Sequence, residues 1–260
     1  MGWVTPLGVQ IEDAWQRLIA GRSGVAEITI FDASNFPVRI AAEVKNWSIE
    51  ALSDDALLSQ ALPGLSGHAR QTQFTVVAAL RAAEAAGLSN LSMDPALMGI
   101  CLGNGEIMPD FNQLAIAASG ALVGEDWDAN LFVQHYLKTV PHDIEVMLDP
   151  SAPLPLIAGL LDAAGPCCNI TNACVSSAAA IGRAAGTIKS GDADVMIAGG
   201  GHSMIHPFGV TGFHRLSTLS LRNDEPAKAA RPFDRDREGI VVGGGPASII
   251  LEELEHAPRR

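Results

Sequence analysis

Two hydrophobic periods organise this chain. In Ile11–Ala20 the residues Ala14, Leu18 and Ile19 share one face and Gly21 follows, which predicts a helix. Residues 24–47 lack that period and read as irregular to extended. Thr72–Ala86 is rich in alanine and closes at Gly87, which predicts a strong helix. Met98–Leu102 is a short apolar run, the pattern of a buried strand, and Gly103-Asn104-Gly105 after it predicts a turn. Phe111–Leu122 and Leu154–Ala164 read as helices, and residues 123–152 are mixed, with a helix near Ala129–Leu137.

The pattern is sharpest over residues 165–200. Cys168–Asn172 predicts a short strand, Ser176–Lys189 an alanine-rich helix broken at Gly191, and Ala193–Ala198 an apolar strand ended by Gly199, Gly200 and Gly201. Strand, sharp turn, helix and strand form an α/β unit with buried strands. Gly182 and Gly186 lie four apart on that helix at a cost in helix propensity, which predicts a close packing partner on their face. Gly239–Gly245 followed by Ala247–Glu252 reads as strand, glycine turn, strand, so the sheet is expected to be mixed.

Composition narrows the classes. The 260 residues are 48% hydrophobic and 18% charged, enough to fill a sizeable core, so the chain is expected to be globular rather than disordered. The net charge is −12, which argues against broad nucleic-acid binding. Residues 1–150 hold 7 basic and 18 acidic side chains, whereas residues 151–260 hold 10 and 11. An anionic partner would prefer the second part; a plainly solvated acidic surface is the blander reading. No apolar run approaches the ~20 residues that span a bilayer, and the N-terminus lacks the basic start and apolar stretch of a signal peptide, so a cytoplasmic location and no membrane partner are expected. Cys101, Cys167, Cys168 and Cys174 form no CxxC pair, and Cys167 and Cys168 are adjacent, which argues against a disulfide scaffold or a zinc site. The dinucleotide, P-loop, zincin and α/β-hydrolase motifs are absent. No cofactor and no metal is expected.

The strongest candidate for chemistry is Cys174, in Asn172-Ala173-Cys174-Val175-Ser176-Ser177-Ala178. It falls where a buried strand turns into a helix. Unpaired N–H groups and the positive end of the helix dipole there favour a thiolate, and the same N–H groups can hold an oxyanion. Ser176 and Ser177 can cap the helix. The local pattern equally allows a small buried cysteine ahead of an ordinary cap.

Further motifs bear on this choice. The stretch Asn172–Gly182, continuing through Gly191-Asp192-Ala193-Asp194-Val195-Met196-Ile197-Ala198-Gly199-Gly200, resembles the nucleophile region of β-ketoacyl-acyl-carrier-protein synthases, condensing enzymes of the thiolase-like superfamily. Val4-Thr5-Pro6-Leu7-Gly8, Trp15, Leu18, Gly21, Ser23, Gly24 and Phe31-Asp32 agree with that family in order. So do Gly212-Phe213, Arg222-Asn223-Asp224, Arg231-Pro232-Phe233-Asp234, Arg237-Glu238-Gly239 and Leu251–Ala257.

The resemblance implies a thiolase-like α/β fold with a mixed sheet layered with helices. Residues 1–260 would be its N-terminal domain, without the first strand and the C-terminal half. It implies that Cys174 takes an acyl group from acyl carrier protein for decarboxylative condensation with a malonyl-carrier-protein, in fatty acid or polyketide biosynthesis. It also implies self-association as a homodimer, or pairing with a chain that carries the C-terminal half. Phe213 and Glu106 would meet the substrate.

Departures from the family pattern qualify this. The family's two catalytic histidines and lysine lie in the second half, and none of the seven histidines here stands in those contexts. His68 follows a superficial Ser66-Gly67 and matches no catalytic motif, whereas His202, His206 and His214 follow the strand after Cys174; one of these three could approach it, and the blander reading of each is a surface or structural histidine. Turnover is therefore expected to need a second half, and a non-catalytic ketosynthase-like partner or relic is the alternative. Gly244 replaces an acidic residue, Pro246 a small one, and Asn172 a threonine. Glu106 falls where elongating enzymes place an apolar residue beside the acyl tunnel; it either disfavours a long chain there or points to water. Arg215, Arg222, Lys228, Arg231, Arg235 and Arg237 either meet the acidic carrier or pair internally with Asp224, Glu225, Asp234 and Asp236.

Overall fold

A computed structural model describes residues 1–52, 56–88, 92–140 and 142–257. The first part holds β1 (Gly2–Trp3), α1 (Ile11–Ile19), β2 (Val25–Glu27), β3 (Ile40–Ala42), α2 (Ala56–Leu65), α3 (Arg70–Ala85) and β4 (Met98–Asn104). An intervening segment follows, with α4 (Phe111–Ser119), β5 (Leu122–Val123), β6 (Asp126–Trp127), α5 (Ala129–Thr139), α6 (His142–Met147) and α7 (Pro153–Leu161). The last part holds β7 (Cys167–Asn169), α8 (Ser176–Lys189), β8 (Val195–Ser203), α9 (Pro207–Arg215) and β9 (Gly244–Glu252).

The central sheet has five strands in the order β1-β9-β8-β4-β7. β4 runs parallel to β7 and β8, while β9 is antiparallel to β8 and β1, so the sheet is mixed as expected; the strand, glycine turn and strand read over 239–252 are instead one strand, β9, that begins at Gly244, with only isolated bridges at Ile240 and Gly243 before it. Side chains alternate across it with a period of two. Ile100, Leu102 and Ile197 face one way, into a cluster with Phe74, Val77, Leu80 and Ile157 from α3 and α7. Cys101, Met196 and Ala198 face the other way, against Ala180 and Ala184 of α8.

α3 is buried at every position from Gln71 to Ala83 except Gln73, so it shows no broad polar face. Its alanines let the sheet approach closely: a Cβ at Gly2 would stand 2.2 Å from the Ala78 carbonyl oxygen. Replacing Leu80, which is fully buried, with alanine should cost about 2–5 kcal/mol.

Gly2–Trp3 forms a short edge strand paired with Ala247 and Ser248 of β9. The structure corrects three further expectations. β4 continues through Gly103 and Asn104, and β8 through Gly199, Gly200 and Gly201 to Ser203; these glycines lie inside strands because each needs close contact. Leu18 and Ile19 of α1 stay exposed and only Ala14 is buried. Gly182 and Gly186 have no packing partner among the described residues, since they lie on the face of α8 turned away from the sheet, where Ala180 and Ala184 do the packing. Among the described residues no helix is long and apolar enough to cross a membrane.

Candidate active site

The carboxyl ends of the parallel strands β4, β7 and β8 gather at one rim, the place where open α/β sheets bind ligands. From β7 the chain enters a single 3₁₀ turn, Ala173–Val175, and passes straight into α8. Ala173 takes a positive φ of 45°, unusual for a residue with a side chain. Such strain collects at functional turns. The turn is closed by Val175 N donating to the Asn172 carbonyl at 3.2 Å. Ser176, buried, pins it further: its Oγ accepts from Asn172 N at 2.8 Å and donates to the Ala173 carbonyl at 2.7 Å. Ser176 thus acts one residue inside the helix, while the N-cap position, Val175, offers no side-chain acceptor. No side chain caps α8, and the Ser176 N–H donates to the Ala173 carbonyl of the preceding turn. Cys174 is exposed at this point, and all four cysteines are free thiols.

Glycines set the height of this helix over the sheet. A Cβ at Gly103 would lie 2.3 Å from the Ser176 carbonyl carbon and 2.4 Å from Ser177 N. One at Gly200 would lie 2.1 Å from the Gly103 oxygen and 2.4 Å from Ser177 Oγ. The start of α8 rests directly on β4 and β8 at residues that have no side chain.

Asn104, read from the sequence as part of a turn, is a fully buried polar hub. Its Oδ1 accepts from Gly201 N at 2.9 Å, and its Nδ2 donates to Asn169 Oδ1 at 3.1 Å and to the Pro150 carbonyl at 3.3 Å. Its carbonyl accepts from Thr171 Oγ1 at 2.9 Å. The network joins β4, β7, β8 and the chain leading to Cys174. Gln71 adds a second tie, donating to the Gly105 carbonyl at 2.8 Å and accepting from Ser203 N at 3.1 Å. The one legible signal was a polar residue between two glycines at the end of an apolar strand.

The other candidates are not brought to Cys174 by any hydrogen bond. His202 Nε2 lies 3.1 Å from the Glu106 carbonyl oxygen. His206 Nδ1 accepts from Phe208 N at 3.2 Å and caps α9. Burial lowers the pKa of His206, opposed by the Pro109 carbonyl and the charge of Asp110. Its Nε2 is enclosed without a well-aligned partner. The Glu106 side chain is exposed, so the water-facing reading describes its position. Phe213 is half-buried and packs against the apolar cluster that includes Ile28, Val38 and Leu219. A cavity of about 520 Å³ lies nearby, lined by Ile30, Phe31, Met108, Phe111, Met147, Ile205 and His206 among others; Cys174, Glu106 and Phe213 do not line it.

The basic segment is largely paired within itself. Glu225 binds Arg222 and also Lys228, the latter at 2.7 Å. Arg231 donates to the Asp236 carbonyl at 2.7 Å, and Arg237 to the Asp234 carbonyl at 2.8 Å. Arg222 and Lys228 together hold the carboxyl of Glu225 below its usual pKa, Lys228 contributing most.

A mixed sheet between helical layers, with a strand–turn–helix passing over its rim, is a thiolase-like α/β fold. Comparison with known proteins agrees. Residues 1–257 match the family described as Beta-ketoacyl synthase, N-terminal domain. The chain is 37% identical over 264 residues to 3-oxoacyl-[acyl-carrier-protein] synthase 2 of Coxiella burnetii (strain RSA 493 / Nine Mile phase I), covering 100% of this chain and 58% of that protein. It is 32% identical over 263 residues to putative polyketide beta-ketoacyl synthase 1 of Streptomyces cyaneus, again covering 100% and 58%. The crystal structure of a beta-ketoacyl synthase from Burkholderia phymatum STM815 superposes with a TM-score of 0.80 at 28% identity, over 100% of this chain and 59% of that one. The chain belongs to the beta-ketoacyl synthase family, a family of fatty acid and polyketide synthesis, and spans somewhat over half the length of these relatives.

Proposed function

We propose that Cys174 accepts an acyl group from an acyl carrier protein as the first step of a decarboxylative condensation. The observation that carries this reading is the exposed thiol on a strained turn at the uncapped N-terminus of α8. The Cys174 thiolate attacks the carrier's thioester carbonyl, the tetrahedral oxyanion is met by helix N-terminal N–H groups, and the C–S bond to the carrier breaks with the carrier's thiolate leaving. A malonyl-carrier-protein then loses carbon dioxide, and its carbanion attacks the Cys174 thioester. The product is a 3-oxoacyl carrier longer by two carbons, and the Cys174 thiolate is freed.

His202 and His206 are engaged with Glu106 and Phe208. We therefore assign the proton handling of the second step to residues outside this sequence, in the same chain or another. In this reading Glu106 meets the substrate from the loop after β4, its exposed carboxylate facing water and setting no buried barrier to a long apolar chain. Phe213 forms part of the substrate wall, supported by the Gly212-Phe213 motif and its half-exposed position. The carrier docks near the exposed Arg215, a cation outside the Glu225 cluster. A second copy of the chain, or a chain carrying the C-terminal half, covers exposed apolar side chains including Ile116, Leu122, Val123 and Trp127.

The test is to mix these 260 residues with acyl- and malonyl-carrier-proteins and follow carbon dioxide and 3-oxoacyl product. Transfer to Cys174 with no condensation is expected from these residues alone. Product formation would overturn the assignment of proton handling elsewhere. Failure of transfer would favour the alternative of a non-catalytic ketosynthase-like partner.

A further inference from the structure

The parallel register of β4 and β7 sets Cys101 directly beside Cys168. Neighbouring strands lie about 4.8 Å apart, inside the ~4.4–6.8 Å Cα separation that a disulfide accepts. The two side chains share a face of the sheet, and their Sγ atoms are 2.8 Å apart. Cys101 is buried among Ala180, Ala184 and Ala198, and Cys168 packs against the same cluster. The pair thus sits beneath α8, the helix that Cys174 precedes. The adjacent Cys167, by contrast, is exposed.

We propose that Cys101 and Cys168 are a redox pair, closed to a disulfide by a hydroperoxide and reopened by a dithiol, and that this site is separate from Cys174. The two thiols are unequal. Burial and the hydrogen bond with Cys168 push the Cys101 thiol up to about 12, against the opposing charge of Arg183, so Cys101 is not the group that meets the oxidant. Cys168, half-buried on the edge strand, is the entry point. Its sulfur attacks the peroxide oxygen, the O–O bond breaks, and a sulfenic acid forms as water or an alcohol leaves. The Cys101 sulfur then attacks the sulfenic sulfur; the S–S bond forms, the S–O bond breaks, and hydroxide leaves with the Cys101 proton as water. With hydrogen peroxide, two thiols and one peroxide yield one disulfide and two waters.

The bond would tie together residues 67 apart in sequence, immediately before Asn169 and Thr171 of the Asn104 network. Closing it anchors the strand from which the Cys174 turn departs. The pair was not legible in the sequence, where adjacent Cys167 and Cys168 argued against a bridge; strand register decides which of the two has a partner.

The test uses the whole chain, reduced, desalted, treated with hydrogen peroxide and then blocked with N-ethylmaleimide. Intact mass should fall by two hydrogens relative to the fully blocked reduced thiols after correcting for two missing adducts, and dithiothreitol should restore both sites. Peptide mapping should place the bridge between Cys101 and the 167–168 pair. Cys167→Ser should retain it and Cys168→Ser should lose it. The proposal is overturned if peroxide oxidises Cys174 while no bridge to Cys101 forms, or if the bridge survives in Cys168→Ser. If Cys168→Ser does not fold, the wild-type and Cys167→Ser maps decide the matter.

Discussion

At the scale of single residues, the Cys174 turn depends on atoms that are missing as much as on those present. Gly103 supports the start of α8 because a methyl group there would fall inside the Ser176 backbone. Gly103→Ala should therefore cost about 1–3 kcal/mol in urea unfolding and slow alkylation of Cys174 by iodoacetamide; unchanged kinetics would show that the contact does not set the turn. Asn104→Ala should cost about 1–3 kcal/mol as well, because it strands Gly201 N and Asn169 inside the protein. The cysteine was legible because Asn172–Ala178 joins a strand pattern to a helix pattern. Asn104 was not, since a buried hub depends on partners at 150, 169 and 201 that no local pattern connects.

At the scale of elements, α9 carries a pH-dependent cap. Neutral His206 accepts from Phe208 N, and an imidazolium has no acceptor to offer. Burial holds its folded pKa below the unfolded value of ~6.5, so this stabilisation is full above that value and is lost as pH falls through the folded one. His68, lowered by burial, acts in the same direction. Melting temperature should drop between roughly pH 7 and pH 5, and His206→Asn, which keeps a capping acceptor without titrating, should flatten part of that drop. An unchanged pH profile would remove His206 from this role. Element identity was mostly legible: Ser176–Lys189 is a helix over the residues its pattern indicated. Strand ends were not, because Gly103 and Gly199–Gly201 look like turn residues locally and serve contacts across the sheet.

At the scale of the whole molecule, the mixed sheet and the family were legible from motifs spread over the chain, whereas exposed surface was not. The face of α8 with Gly182 and Gly186 is open among the described residues, and Ile116, Val123, Trp127 and Leu137 are exposed on the segment between β4 and β7. Spacing alone does not reveal whether an apolar side chain meets its own fold or another chain. We expect concentration-dependent association in sedimentation velocity, shifted toward monomer by Trp127→Lys; a monomer throughout the dilution series would contradict the self-association reading.

The central claim is that Cys174 is the acyl acceptor, and peptide-mapped mass spectrometry after incubation with an acyl-carrier thioester tests it most directly. The predicted result is one acyl adduct on Cys174, reversible by hydroxylamine and absent in Cys174→Ser, with Cys101, Cys167 and Cys168 unmodified. An unacylated Cys174 in protein whose exposed Cys167 is labelled, or an adduct that persists in Cys174→Ser, would contradict it.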